Sequence, residues 1–103
     1  MIRTPIKRFK DFTKERNLWI YILFLGKDQE IIRDTLNAKI LEKFDFLPNS
    51  FKREKVLFEL EQDGFIVKER FQSKKAYKTT EKGKEELQKM ITYTEELLEK
   101  LKK

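Results

Sequence analysis

Basic and polar side chains that could bind a polyanion lie in two short stretches, a helical segment after Asn49 and an alternating segment at residues 65–79. Lysine and arginine neutralise phosphates, while amides and hydroxyls can hydrogen-bond to phosphates or base edges. We therefore predict the following contacts to double-stranded DNA: Asn49, Ser50, Lys52, Arg53, Lys55, Gln62, Arg70, Gln72, Ser73, Lys74 and Lys75.

The charge order of the helical segment supports this interpretation. Three basic residues open it and three acidic residues close it: Lys52, Arg53 and Lys55, then Glu59, Glu61 and Asp63. Both groups oppose the helix dipole, each at a cost of roughly 0.3–1 kcal/mol where exposed. A helix whose first turns bind phosphates and base edges would explain that order. The alternative is that surface charges are ordered almost at random.

The positions of these side chains around the helix axis predict different roles for them. Lys52, Lys55 and Gln62 are predicted to contact a DNA groove, whereas Arg53 lies nearer the core and would bind a phosphate. Phe51 could contact a thymine methyl group, but an aromatic residue there is more often buried against a neighbouring element. Phe58 is expected to pack against the hairpin or a partner subunit.

The net charge is +6 and the isoelectric point is about 9.5. The surplus is concentrated, because residues 1–17 carry six basic and two acidic side chains and residues 65–79 carry five and one. Clustered positive charge is typical of a surface that binds nucleic acid. Solubilising lysines on a Lys/Glu-rich protein are the alternative.

The sequence lacks residues that several classes of protein need for their function. The chain has no histidine, no cysteine and only three glycines, so we predict no enzyme, no metal site and no cofactor. The longest apolar run is LWIYILFL at 18–25, too short for a membrane span of about 20 residues. We expect a cytoplasmic protein with no membrane partner.

The order of predicted elements is helix, helix, helix, hairpin, long helix. Thr13 is expected to cap a helix to residue 25, which is apolar on every face and therefore enclosed. Asp28 caps an amphipathic helix at 29–44, and Asn49 or Ser50 caps a third helix ending at Gly64. FIVKERF and KAYKT form a two-stranded hairpin around a QSKK turn. Residues 1–12 form a short helix with Pro5 at its first position or a loose basic arm.

This order is the winged helix-turn-helix arrangement, mainly α with a β-hairpin wing. The segment LFELEQDGFIVKERFQSKKAYKTTEKGKEEL resembles PadR-like and MarR-like winged-helix regulators, and small winged-helix proteins of archaeal viruses and plasmids. The matching positions are Leu57, Leu60, Glu61, Gly64, Phe65, Ile66, Tyr77, Thr80 and Gly83. Thr79 stands where that family usually has leucine. The resemblance implies DNA binding through the third helix and the wing.

The last helix has an apolar stripe that extends beyond a small domain. We predict a homodimer, with the apolar helix at 18–25 helping. Its interface is the stripe of the last helix, which consists of Leu87, Met90, Ile91, Thr94, Leu97, Leu98 and Leu101. The third helix of one protomer would then lie about one DNA turn, ~34 Å, from that of its partner. The alternative is a helix that folds back along its own domain. Gly83 in the first turns suggests close packing on the hairpin or on the helix at 18–25.

The sequence thus predicts a basic arm or helix at 1–12, a winged helix-turn-helix domain at 13–79 and a dimerisation helix at 80–103. The leading function is a dimeric, sequence-specific DNA-binding transcriptional regulator, most simply a repressor. Plasmid partition or viral replication through centromere or origin DNA is the alternative use of the same surface. A protein–protein adaptor is the alternative from another class.

Overall fold

The computed structural model describes residues 4–103. Its helices and strands, in chain order, are α1 (Pro5–Phe12), α2 (Leu18–Gly26), β1 (Ile31–Ile32), α3 (Leu36–Phe44), α4 (Ser50–Gln62), β2 (Ile66–Phe71), β3 (Lys74–Thr79) and α5 (Glu81–Leu101). Short 3₁₀ turns at Glu15–Asn17 and Arg33–Thr35 precede α2 and α3. Helices α2, α3 and α4 with the β2–β3 wing and the long α5 confirm the predicted winged helix-turn-helix.

The N-terminal residues that the structure describes form a helix. The Thr4 hydroxyl accepts the N–H of Lys7 at 3.3 Å, and Pro5 occupies the first position. Of the two possibilities for this segment, the chain thus adopts the short helix from Pro5 onward. The prediction that Thr13 caps the following helix is wrong. Its N–H donates to Phe9 O and its hydroxyl to Lys10 O, so it ends α1, and α2 begins five residues later.

The predicted single helix at 29–44 is also wrong. Ile31 and Ile32 form β1, which pairs antiparallel with Tyr77 and Ala76 of β3, and Asp28 caps no helix. The helical spacing of apolar residues correctly indicated burial for Ile31, Leu36 and Ile40, which belong to the core, whereas Leu41 is 47% exposed. Two adjacent β-branched residues favour a strand where a neighbouring strand offers an unpaired edge.

The wing belongs to a three-stranded sheet of order β1-β3-β2. β2 and β3 pair from Ile66 with Thr79 to Phe71 with Lys74. Gln72 and Ser73, with φ of 53° and 64°, form the two-residue turn, a conformation that matches the twist of the flanking strands. The expected QSKK turn is therefore two residues too long, because Lys74 and Lys75 belong to β3.

Helix α2 lies at the centre of the core. Leu18, Ile22 and Leu23 are buried, while Trp19 and Ile20 are partly exposed, so the helix is not enclosed on every side. The other buried core residues come from every later helix, from all three strands and from the loop before α4: Ile31, Leu36, Ile40, Phe46, Leu57, Leu60, Ile66, Tyr77 and Leu87. This core fixes the orientation of α4 and of the wing root relative to each other.

Thr79 at the end of β3 fills a narrow space between two glycines. A Cβ atom at Gly26 would lie 2.7 Å from Thr79 Oγ1, and one at Gly83 would lie 2.7 Å from Thr79 Cγ2 and 2.2 Å from Phe65 O. The Thr79 hydroxyl donates to Leu23 O at 2.9 Å. The threonine side chain is therefore tightly enclosed, at the position where the family that the sequence resembles usually has leucine. The expected close approach of Gly83 to the hairpin is confirmed.

Helix α5 begins at Thr80, whose hydroxyl accepts the N–H of Gly83 at 3.1 Å. Gly83 and Leu87 are buried against the domain, whereas every residue from Ile91 onward is exposed. The C-terminal half of α5 therefore extends past the core that the chain itself supplies. None of the helices within residues 4–103 combines the length and the apolar character that crossing a bilayer demands.

Candidate nucleic-acid interface

The start of α4 is held by Asn49. Its side-chain oxygen accepts the N–H of Phe51 at 2.9 Å and the N–H of Lys52 at 3.2 Å. This cap was predicted, and it uses the amide oxygen that could otherwise have met DNA. The neighbouring Ser50 is exposed. Asn49 is exposed as well, so its amide NH2 and the Ser50 hydroxyl are the groups of this pair that can donate to a phosphate.

The buried face of α4 determines which side chains face outward. Leu57 and Leu60 are buried, and this orientation leaves Lys52, Lys55 and Gln62 exposed. All three were expected to face a DNA groove, and the structure places them on the outer surface of α4. They form, with Ser50, the candidate base and phosphate contacts of this helix.

Arg53 lies on the core side of α4, as its wheel position indicates. Its side chain is only 13% exposed, and its Nε–H donates to Glu54 Oε2 at 3.2 Å. Arg33 binds the other oxygen of the same carboxylate, with Nε 2.8 Å and Nη2 2.6 Å from Glu54 Oε1. Hydrogen bonding from Arg33 lowers the pKa of Glu54 below its ordinary value. Glu54 thus bridges α4 and the segment after β1 through Arg33, and Arg53, less exposed than the lysines, binds the same carboxylate within α4.

A carboxylate at the start of α4 was missed from the sequence. Glu15, in the 3₁₀ turn before α2, accepts the N–H of Asn49 at 2.8 Å and lies 3.5 Å from Lys52 Nζ. It therefore neutralises one of the predicted DNA contacts in the free protein. Glu15 and Asn49 are 34 positions apart in the sequence, so local spacing could not predict this contact.

The wing carries the second group of predicted contacts. Arg70 Nη1 donates to Ser73 O at 3.3 Å and so braces the turn, while Lys74 and Lys75 are exposed beside it. Gln72 is exposed at the tip as well. At the wing root, Lys68 lies 3.7 Å from Glu61 of α4. This pair joins the wing to α4, so the two basic stretches lie on neighbouring elements of one body.

Two aromatic residues of α4 face outward. Phe51 is 88% exposed and Phe58 is 61% exposed. The expectation that a neighbouring element of the chain buries Phe51 is therefore wrong, and the wing leaves most of Phe58 uncovered. Both residues lie on the same face of α4 as Lys55 and Gln62, at spacings of three and four residues.

The described residues, 4–103, contain no group of three or more acidic side chains that could hold a metal ion. The polar chemistry of this surface is instead that of lysines, amides and hydroxyls on α4 and the wing. These are groups that bind phosphates and base edges.

No family model matches the sequence, and no curated protein matches it. Solved structures do match. A PadR-like transcription factor from Bacteroides fragilis is 21% identical, with a TM-score of 0.74 over 91% of this chain and 95% of that one. A PadR family transcriptional regulator from Eggerthella lenta is 15% identical, with a TM-score of 0.72 over 93% and 84%.

A third similar structure is that of Bacillus subtilis PadR in complex with operator DNA. It is 26% identical, with a TM-score of 0.63 over 76% of this chain, which spans only 48% of that protein. The neighbours are transcription factors, in agreement with the prediction that this chain is not an enzyme. The resemblance to MarR-like and viral proteins stays a prediction. In its fold, this chain is a winged helix similar to those of PadR-like transcriptional regulators.

Proposed function

We propose that the chain is a homodimeric, sequence-specific DNA-binding regulator that represses transcription in the cytoplasm by covering its operator. One observation carries the proposal. The exposed lysines of α4 and the basic tip of the wing lie on adjacent elements, in a fold whose Bacillus subtilis example is a complex with operator DNA.

In this proposal α4 enters the major groove. Its N-terminal turns supply Ser50, Lys52 and Lys55, because the first residues of such a helix are those nearest the base edges. The wing lies along the adjacent backbone, where Lys74 and Lys75 bind phosphates. Phosphate contacts would set the register of the protein on the duplex, and base contacts would select the site.

The dimer is supported by the exposed half of α5. Residues 91–101 extend the helix by about 16 Å at 1.5 Å per residue, and their apolar stripe is uncovered. Leu97, Leu98 and Leu101 need a second surface to be buried, and a second α5 offers the same stripe. Helix α2, whose Trp19 and Ile20 are partly exposed, would add apolar contact to this dimer as expected. The exposed apolar side chains of α1 are a more accessible supplement.

DNA binding is tested by fluorescence anisotropy with labelled duplex at about 50, 100 and 200 mM salt. We expect affinity to fall steeply with salt, with a log–log slope near −0.9 for each phosphate neutralised. The double variant Lys52→Gln/Lys55→Gln should bind more weakly and with a shallower slope. Lys102→Gln/Lys103→Gln removes the same charge at the far end of α5 and should bind almost normally. No binding at the lowest salt, or equal losses in both variants, would overturn the proposal and favour the adaptor function.

The dimer is tested by sedimentation equilibrium. The wild-type protein should have twice the 12.6 kDa mass of the chain. Leu98→Glu should give monomers, because a carboxylate in the apolar stripe would be desolvated on association. Glu95→Gln, on the same helix, should remain dimeric. A monomeric wild-type protein would contradict the proposed dimer and would show that no second chain covers α5.

A further inference from the structure

Phe51 is the most exposed large apolar side chain of the described residues, at 88%. It occupies the second position of α4, where its N–H is bound by the Asn49 side chain. Leu47, in the loop just before α4, is also exposed. The ring thus stands at the start of a capped helix, and no residue among 4–103 buries it.

The charges around this ring indicate what could cover it. Lys52 follows it directly and Lys55 lies one turn further along the same side of α4. A purely apolar protein surface would have to desolvate both ammonium groups. The major groove of DNA offers phosphates at its edges and, within it, one apolar group, the 5-methyl of thymine.

We infer that Phe51 contacts the 5-methyl group of a thymine, so that the operator must contain thymine at the position facing the start of α4. This inference rests on the proposed DNA-binding function. Lys52 and Lys55 bind the adjacent backbone phosphates, while the ring distinguishes thymine from the other bases by apolar contact. Phe58, seven residues and about 10 Å further along α4, faces a different part of the groove or none.

The test uses a duplex that wild-type protein selects from a random library. Each thymine of the selected site is replaced in turn by deoxyuridine, which removes only the methyl group. Wild-type protein should lose about fourfold in affinity at one thymine of each half-site, the effect of burying one methyl group. Phe51→Ala should bind the thymine duplex more weakly and should not distinguish it from the deoxyuridine duplex. The matched variant Phe58→Ala should keep the full fourfold discrimination.

Each other outcome identifies what has failed. If wild-type protein selects no sequence, the proposed sequence-specific function fails and this inference fails with it. If a site is selected but no deoxyuridine replacement weakens binding, or if Phe51→Ala still discriminates, the inference alone is overturned. It is equally overturned if Phe51→Ala converts a dimer to a monomer, since the ring would then belong to a protein interface.

Discussion

The contact between Glu15 and the start of α4 predicts a variant that binds DNA more tightly than the natural sequence. For Lys52 to meet a phosphate, its ammonium group must leave a carboxylate that lies 3.5 Å away. Glu15→Gln keeps an acceptor for the N–H of Asn49, at 2.8 Å in the present structure, and removes only the negative charge. The substitution should therefore leave the cap region folded while freeing Lys52.

The size of the effect follows from the separation of the two charges. Unit charges at about this distance attract by roughly 1 kcal/mol in water. Measured pairs at exposed positions contribute about 0.2–1 kcal/mol, and both side chains here are partly exposed. Removing that cost should tighten DNA binding by a factor between about 1.4 and 5. Reduced repulsion between Glu15 and the DNA phosphates acts in the same direction.

The assay is duplex binding by anisotropy at low salt, arranged as a double-mutant cycle. Most of the gain from Glu15→Gln should vanish in a Lys52→Gln background, because no ammonium group remains to be released. Glu95→Gln, which removes a distant carboxylate, controls for the change in net charge. Unchanged or weaker binding by Glu15→Gln would refute the reasoning, as would an equal gain in both backgrounds.

Three further variants test the packing that positions the interface. Thr79→Val should destabilise the fold by roughly 1–3 kcal/mol in urea unfolding, because it leaves a buried carbonyl of α2 without its hydroxyl donor. The matched substitution at an exposed position, Thr92→Val, should change the stability by less than about 0.5 kcal/mol. Gly83→Ala should lower the midpoint of thermal unfolding, since the overlap with Phe65 O outweighs the ~1 kcal/mol that alanine gains in a helix. Because folding lowers the pKa of Glu54, this carboxylate stabilises the fold at pH values above its ordinary pKa of 4.5. That stabilisation is lost as the pH falls through the folded-state pKa. Glu54→Gln should remove that part of the acid dependence, measured by circular dichroism between about pH 5 and 2.

The sequence predicted the elements that carry strong local signals. Asn49 and Thr80 cap their helices, and Gly64, with φ of 81°, follows the end of α4 as expected. The alternation in the wing identified both strands. In each case the determining interaction lies within a few residues of the signal, so the pattern alone is sufficient.

Some errors arose where a distant part of the chain decides the structure, and one arose where two neighbouring helices compete for the same cap residue. Ile31 and Ile32 fit a helical stripe, but their partner is β3, more than forty residues later in the chain. Thr13 is a suitable cap for either neighbour, and its bonds to α1 decided the outcome. Among the candidate contacts, spacing correctly predicted the exposure of Lys52 and Lys55. It could not reveal Glu15, and the bias of aromatic residues toward burial gave the wrong expectation for Phe51.

The sheet has a mechanical consequence for the wing. β3 is bonded on both sides only where Ala76 and Tyr77 meet β1, whereas toward Lys74 and Lys75 it has β2 alone. Amide hydrogen exchange should therefore be slowest at the root and should rise toward the Gln72–Ser73 turn. This difference in hydrogen bonding along β3 holds the base of the wing rigidly and leaves its tip more flexible. In the proposed complex with DNA, the tip would follow local variation in groove width without disturbing the angle at which α4 is held.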